Sequence, residues 1–157
     1  MAKCYQLIGV PGSGKTTWIK NQDWLTDVAY VSTDSWVELE AERQGKTYSE
    51  VFQDYMPHAV NIMVAQVIDA REQNKDIIWD QTSTTRKSRK KKFIMLPEYE
   101  HIAVVFKTPA PDELEQRLSG RPGKIIPQPV VQSMIDNWQE PDVSEGFTQI
   151  WYADNVF

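Results

Sequence analysis

One cysteine, Cys4, stands in 157 residues, so no disulfide can close within the chain. Cys4 falls on the first expected strand, where a small buried residue is the ordinary use and a reactive thiol the alternative. Histidine is nearly as scarce: His58 and His101 are the only two, neither has a partner at metal-ligand spacing, and they read as helix-end and strand-end residues. No apolar run approaches the ~20 residues that cross a bilayer. Lys3-Cys4 opens no secretory pattern, so a reducing cytoplasmic setting is expected. Positive charge is not in excess either, and a net charge of −5 argues against broad, non-specific attraction to nucleic acid. Repeats, low-complexity tracts and flexible linkers are missing, which leaves residues 1–157 as one expected domain. What remains is 41% hydrophobic and 25% charged, the make-up of a folded chain with a core.

Against those absences stands one dense motif. Gly9-Val10-Pro11-Gly12-Ser13-Gly14-Lys15-Thr16 fits G-x-x-x-x-G-K-[ST]. At ordinary residue usage that pattern arises in roughly one chain in two hundred of this length. Tyr5 and Leu7-Ile8 precede it as a buried strand would, and Thr16-Thr17-Trp18-Ile19-Lys20 opens a helix. Strand, glycine loop and helix in that order form a phosphate cradle. Glycines let successive main-chain N–H groups point at one anion, Lys15 reaches the β- and γ-oxygens, and the Thr16 hydroxyl suits Mg²⁺. The chain is therefore expected to bind a nucleoside triphosphate.

Apolar runs alternate with helical patterns along the rest of the sequence, which predicts a parallel α/β sheet. Strands are expected near Tyr5–Val10, Val28–Ser32, Asp76–Asp80, Ile102–Lys107 and Phe147–Tyr152. Helices are expected at Lys15–Asn21, Ser35–Glu42, Arg86–Leu96, Pro111–Leu118 and Pro129–Trp138. A longer one carries Phe52, Met56, Met63, Val67 and Ala70, with Pro57 starting or kinking it.

Several charged residues fall where such a sheet binds ligands, at the carboxyl ends of its strands. Asp34 follows the second strand and could accept a proton from an acceptor hydroxyl, or simply cap the next helix. Asp80 ends the third strand, as a Mg²⁺ ligand or a plain strand terminus. Arg117 and Arg121 flank Ser119-Gly120, and Arg121-Pro122-Gly123-Lys124 is shaped like a mobile lid that neutralises charge on a γ-phosphoryl group. For Arg117, surface ion pairs with Glu113 or Glu115 are the alternative. Trp36 could stack on a base or pack. Arg86, Lys87, Arg89, Lys90, Lys91 and Lys92 crowd into seven positions, either as a solvated helix face or as a phosphate-steering patch.

Taken together these segments resemble the kinase domain of the bacteriophage polynucleotide 5′-hydroxyl kinases. Gly9 through Trp18 is similar to that family's loop, Asp34 stands at the position of its general base, and Asp80-Gln81-Thr82-Ser83 is similar to its Asp-Thr-Asn segment. Arg117-Leu118-Ser119-Gly120-Arg121 matches its Arg-x-x-x-Arg lid, and Pro127, Val130 and Met134 continue the match. The resemblance implies a P-loop α/β fold of about five parallel strands with helices on both faces and a basic lid. It implies ATP and Mg²⁺ as cofactors and the 5′-hydroxyl ends of DNA or RNA as partners, in the host cytoplasm if the chain is phage-encoded. ATP would lie on Gly9, Pro11, Gly12, Ser13, Gly14, Lys15, Thr16, Thr17, Arg117 and Arg121, with the metal on Thr16 and Asp80. Asp34, Lys15 and Arg121 would be catalytic, and Asp34, Trp36, Asp80, Thr82, Arg86 and Arg89 would meet the acceptor. Two positions depart: the acceptor-binding arginine that the family carries is here Val37 or is displaced, and Ser83 stands where the family carries asparagine. The phosphatase motif Asp-x-Asp-x-Thr does not occur, so removal of 3′-phosphates is not expected. A kinase of a small molecule, a nucleotide or an aminoacylated RNA is the alternative, and a nucleotide-binding switch a more distant one.

Overall fold

The first strand, β1 (Lys3–Ile8), sorts its side chains by parity, as a strand covered on both faces must. Tyr5 and Leu7 pack with Trp18 of the helix that follows the glycine loop. Cys4 packs on the opposite face with Met63, Val67 and Ala70 of a long helix. A computed structural model describes residues 1–153 in this way. β1 lies at the centre of a parallel five-stranded sheet with β2 (Ala29–Val31), β3 (Ile77–Asp80), β4 (Glu100–Val105) and β5 (Phe147–Tyr152), in the order β2-β3-β1-β4-β5.

Parallel neighbours need long crossovers, and helices supply them. They are α1 (Lys15–Lys20), α2 (Asp34–Gln44), α3 (Tyr48–Glu72), α4 (Arg86–Met95), α5 (Pro111–Ser119) and α6 (Gln128–Asp136), with a 3₁₀ turn at Val143–Glu145 before β5. The expected fold class is therefore the observed one, and the five strands all begin and end within two residues of their predicted spans.

The long helix differs from its expected form. Pro57 neither starts nor ends α3, which runs unbroken through it. The start is fixed nine residues earlier by a capping box: Thr47 Oγ1 accepts from the Glu50 N–H, and the Glu50 carboxylate accepts from the Thr47 N–H. Pro57 deprives the Gln53 carbonyl of its helical donor, a loss that water can make good because Pro57 is exposed. This early start matters to the site, because it places Tyr48 and Ser49 on rigid helix beside α2.

Candidate active site

The phosphate-loop glycines have the backbone that the motif calls for. Gly12 (φ 80°) and Gly14 (φ 103°) are left-handed, and Gly14 is the residue from which α1 starts. Gly9 has no room for a side chain: a Cβ there would come within 2.5 Å of Ser13 Oγ and 2.9 Å of Phe106 Cβ. The Gly9 N–H donates to the Thr82 carbonyl at 3.0 Å, tying the loop to the segment after β3. Lys15 Nζ donates to the Gly9 carbonyl at 2.9 Å and so lies inside the curl of the loop. Burial pulls the Lys15 ammonium below the usual lysine range, against the pull of the Asp80 and Asp34 charges.

Asp34 occupies the first position of α2, three residues beyond Val31, the last residue of β2. Its carboxylate caps no helix. Ser32 Oγ takes the Ser35 N–H at 3.1 Å instead, while Tyr48 donates to Asp34 Oδ1 at 2.7 Å and Lys124 Nζ to Oδ2 at 3.3 Å. Lys124 also donates to Glu38 Oε1 at 3.1 Å and sits 4.4 Å from the centre of the Tyr48 ring. Burial first, and then the hydrogen bond to Asp34, push the Tyr48 phenol up, so it remains a donor. Asp80 is treated alike: Tyr30 donates to Asp80 Oδ2, and burial followed by the Asp80 charge raises the Tyr30 phenol.

The lid arises from α5 and the loop that follows. Leu114 and Leu118 press on Gly12, each within 3.2 Å of where a Cβ would stand. Arg117 makes the surface ion pair offered as its alternative, donating to Glu113 Oε1 at 2.6 Å, and also donates to the Gly12 carbonyl at 2.9 Å. Beyond it, the loop is sewn to α3: the Ser49 N–H donates to the Gly123 carbonyl at 3.1 Å, and the Ile125 N–H to Ser49 Oγ at 2.9 Å. Gly123 (φ 68°) passes so close that a Cβ would meet Thr47 Cβ at 2.8 Å. Arg121 faces the same cleft, and among the described residues its guanidinium has no hydrogen bond or ion pair.

These elements enclose one cleft of about 1090 Å³. Pro11, Gly12, Ser13, Gly14, Lys15, Thr16 and Thr17 line it together with Asp34, Asp80, Thr82, Arg117 and Arg121. Three expected acceptor contacts are not there. Arg89 is fully buried, its guanidinium spent on Glu145 at 2.9 Å and on the Ser83 and Gln139 carbonyls, so it braces α4 against the turn before β5. Trp36 points to α3, donating from Nε1 to Gln66 Oε1 at 3.0 Å and packing beside Val37, Ala41 and Ala59. Arg86 is exposed at the start of α4, away from the cleft lining. Conversely, Tyr30, Tyr48 and Lys124 hold the Asp80 and Asp34 carboxylates; the two tyrosines had no assigned role, and Lys124 was read only as part of the lid. The capping-box letters Thr47-Tyr48-Ser49-Glu50 were the available signal for Tyr48.

With that geometry in place, the AAA domain family matches residues 6–141 of the chain. The chain belongs to that family. Solved structures repeat the fold of this family member. A chain in the Pnkp1/Rnl/Hen1 RNA repair complex matches with TM-score 0.67 and 24% identity, over 87% of this chain and 43% of that one. This chain thus spans less than half of its counterpart in the repair complex. A putative kinase from Chloroflexus aurantiacus matches with TM-score 0.70 and 14% identity, over 99% and 90% of the two chains. A gluconokinase from Sinorhizobium meliloti gives 0.54 and 15%, over 99% and 83%. At such identities the likeness is one of fold, a kinase-like P-loop α/β domain. No helix among the described residues is long and apolar enough to cross a membrane.

Proposed function

We propose that this chain transfers the γ-phosphoryl group of ATP to the 5′-hydroxyl of a DNA or RNA strand. One observation carries the reading: a single cleft brings the phosphate loop with Lys15, the carboxylate of Asp34 and the unpaired guanidinium of Arg121 to face one another. The triphosphate lies along the loop N–H groups with Lys15 on its outer oxygens. The acceptor oxygen attacks the γ-phosphorus, its proton passes to Asp34, and the bond from that phosphorus to the β,γ-bridging oxygen breaks to release ADP. Little basicity is demanded of Asp34, because a loose transition state lets proton transfer come late. Arg121 and Lys15 neutralise charge on the moving group, and Arg117 holds the nucleotide side.

The donor set suits Mg²⁺. Thr16 and Asp80 offer hard oxygens to the same cleft, and among the described residues no group of three or more His, Cys, Asp or Glu side chains forms a dedicated cage. Mg²⁺ commonly takes one or two protein oxygens plus substrate phosphates. Bound on Thr16 and Asp80, it would supply charge neutralisation at the phosphates, while Tyr30 fixes the Asp80 carboxylate.

The decisive experiment offers γ-labelled ATP with 5′-hydroxyl oligonucleotides, nucleosides, nucleotides, sugars and tRNA. Label should move to the oligonucleotides. Asp34→Asn should abolish transfer while leaving ATP binding largely intact, and Lys15→Ala or Arg121→Ala should each cost orders of magnitude in turnover, about 10³–10⁵ for the arginine. Turnover retained in Asp34→Asn would remove that residue from the mechanism.

One observation favours a second reading, a small-molecule or nucleotide acceptor. The basic run of α4 does not line the cleft, two of its members (Arg89 and Lys92) are buried, and Asp34, Glu38 and Asp80 make the acceptor wall acidic. Label on a small acceptor, with binding insensitive to salt, would select it.

A further inference from the structure

The apolar face of α3 runs on past the sheet, and its first turns reach the cleft. Val51, Ala59, Met63, Val67 and Ala70 along it are buried. Tyr48, Phe52 and Met56 form a stripe at four-residue intervals that continues the same face towards the start of the helix. Tyr48 and Met56 pack partly against the cluster of Val37, Ala41, Val51 and Ala59, whereas Phe52 is 41% exposed, and all three line the cleft. An exposed aromatic ring inside a cleft is apt as a ligand surface.

Its position assigns it to one substrate. The stripe begins at Tyr48, whose hydroxyl holds the Asp34 carboxylate at 2.7 Å. The Phe52 ring follows, 5.5 Å from the Tyr48 ring and inclined at 43°. Gln53 also lines the cleft. Lys124 covers the Tyr48 ring, so Phe52 presents the exposed aromatic face beside it. An exposed aromatic ring suits the π-face of a planar base.

We infer that Phe52, beside Tyr48 in the cleft, is the platform on which the 5′-terminal nucleobase of the acceptor stacks. The assignment rests on the kinase reading above and narrows it: the acceptor bears a base within one nucleoside of its reactive hydroxyl. Stacking is sequence-tolerant, because every base has a π-face, so the platform grips an end without choosing a sequence.

The test measures kcat and KM for two 5′-hydroxyl oligonucleotides, one complete and one with an abasic 5′-terminal residue, in wild type, Phe52→Ala and Phe52→Tyr. In wild type the abasic end should raise acceptor KM about tenfold, the effect of losing one base–aromatic stack. Phe52→Ala should raise KM for the complete end to the abasic level and leave the abasic end and the ATP KM unchanged, and Phe52→Tyr should restore it. Equal losses on both ends in Phe52→Ala would overturn the platform, as would a rise in ATP KM alone, which would give the stripe to the donor. Failure of the kinase reading shows separately, as wild type that labels neither oligonucleotide, and takes the platform with it.

Discussion

Lys92 shows how a charge run in sequence divides once it folds. Of the six basic residues between Arg86 and Lys92, Lys92 is buried over the Trp79 ring with Ser88 as its hydrogen-bond acceptor, and burial pulls its ammonium down to about 8. Between that value and 10.5 the unfolded chain holds a proton that the folded chain has released, so this residue makes stability rise with pH across the window. Below it the penalty is fully present. Lys92→Met should therefore raise stability at pH 7, by up to about 3 kcal/mol, with the gain fading towards pH 10.5. Urea midpoints of the two proteins at both ends of that range check this, and a gap that does not shrink would contradict it. Nothing in the letters of the run separates Lys92 and Arg89 from Lys87, Lys90 and Lys91, because burial there is decided by the partner elements. Asp34 was legible as a residue at a strand end. Its holders, Tyr48 and Lys124, lie 14 and 90 positions away, and no local pattern links them.

At the scale of elements, apolar runs set between helical patterns, together with the glycine loop, were enough to mark every strand, while α3 was expected to start or kink at Pro57 because the capping box at Thr47 and Glu50 went unread. Arg89 is the clearest inter-element device. Its ion pair with Glu145 is 0% and 7% exposed and ties α4 to the turn that feeds β5. Arg89→Met leaves a buried carboxylate alone and should cost about 3–5 kcal/mol, whereas Arg89→Met with Glu145→Leu should regain most of that. Urea unfolding of both variants is the measurement. A single-variant loss under about 1 kcal/mol, the range of an exposed pair, would show that the guanidinium is not structural.

For the molecule as a whole, the sheet order places the carboxyl ends of β1, β2 and β3 side by side, so that the phosphate loop, Asp34 and Asp80 meet although 71 positions separate the ends of this set. The lid crosses from the loop to α3 and completes the wall. Parallel topology was readable from the alternation of elements, but the closure of the lid onto Thr47 and Ser49 was not, since it depends on one close backbone approach at Gly123. The most direct test is a crystal structure with a non-hydrolysable ATP analogue and a 5′-hydroxyl dinucleotide. An Asp34 oxygen should lie within about 3 Å of the acceptor hydroxyl, with Arg121 on the γ-phosphate. An acceptor hydroxyl bound elsewhere, with Asp34 turned from the γ-phosphorus, would contradict the transfer mechanism.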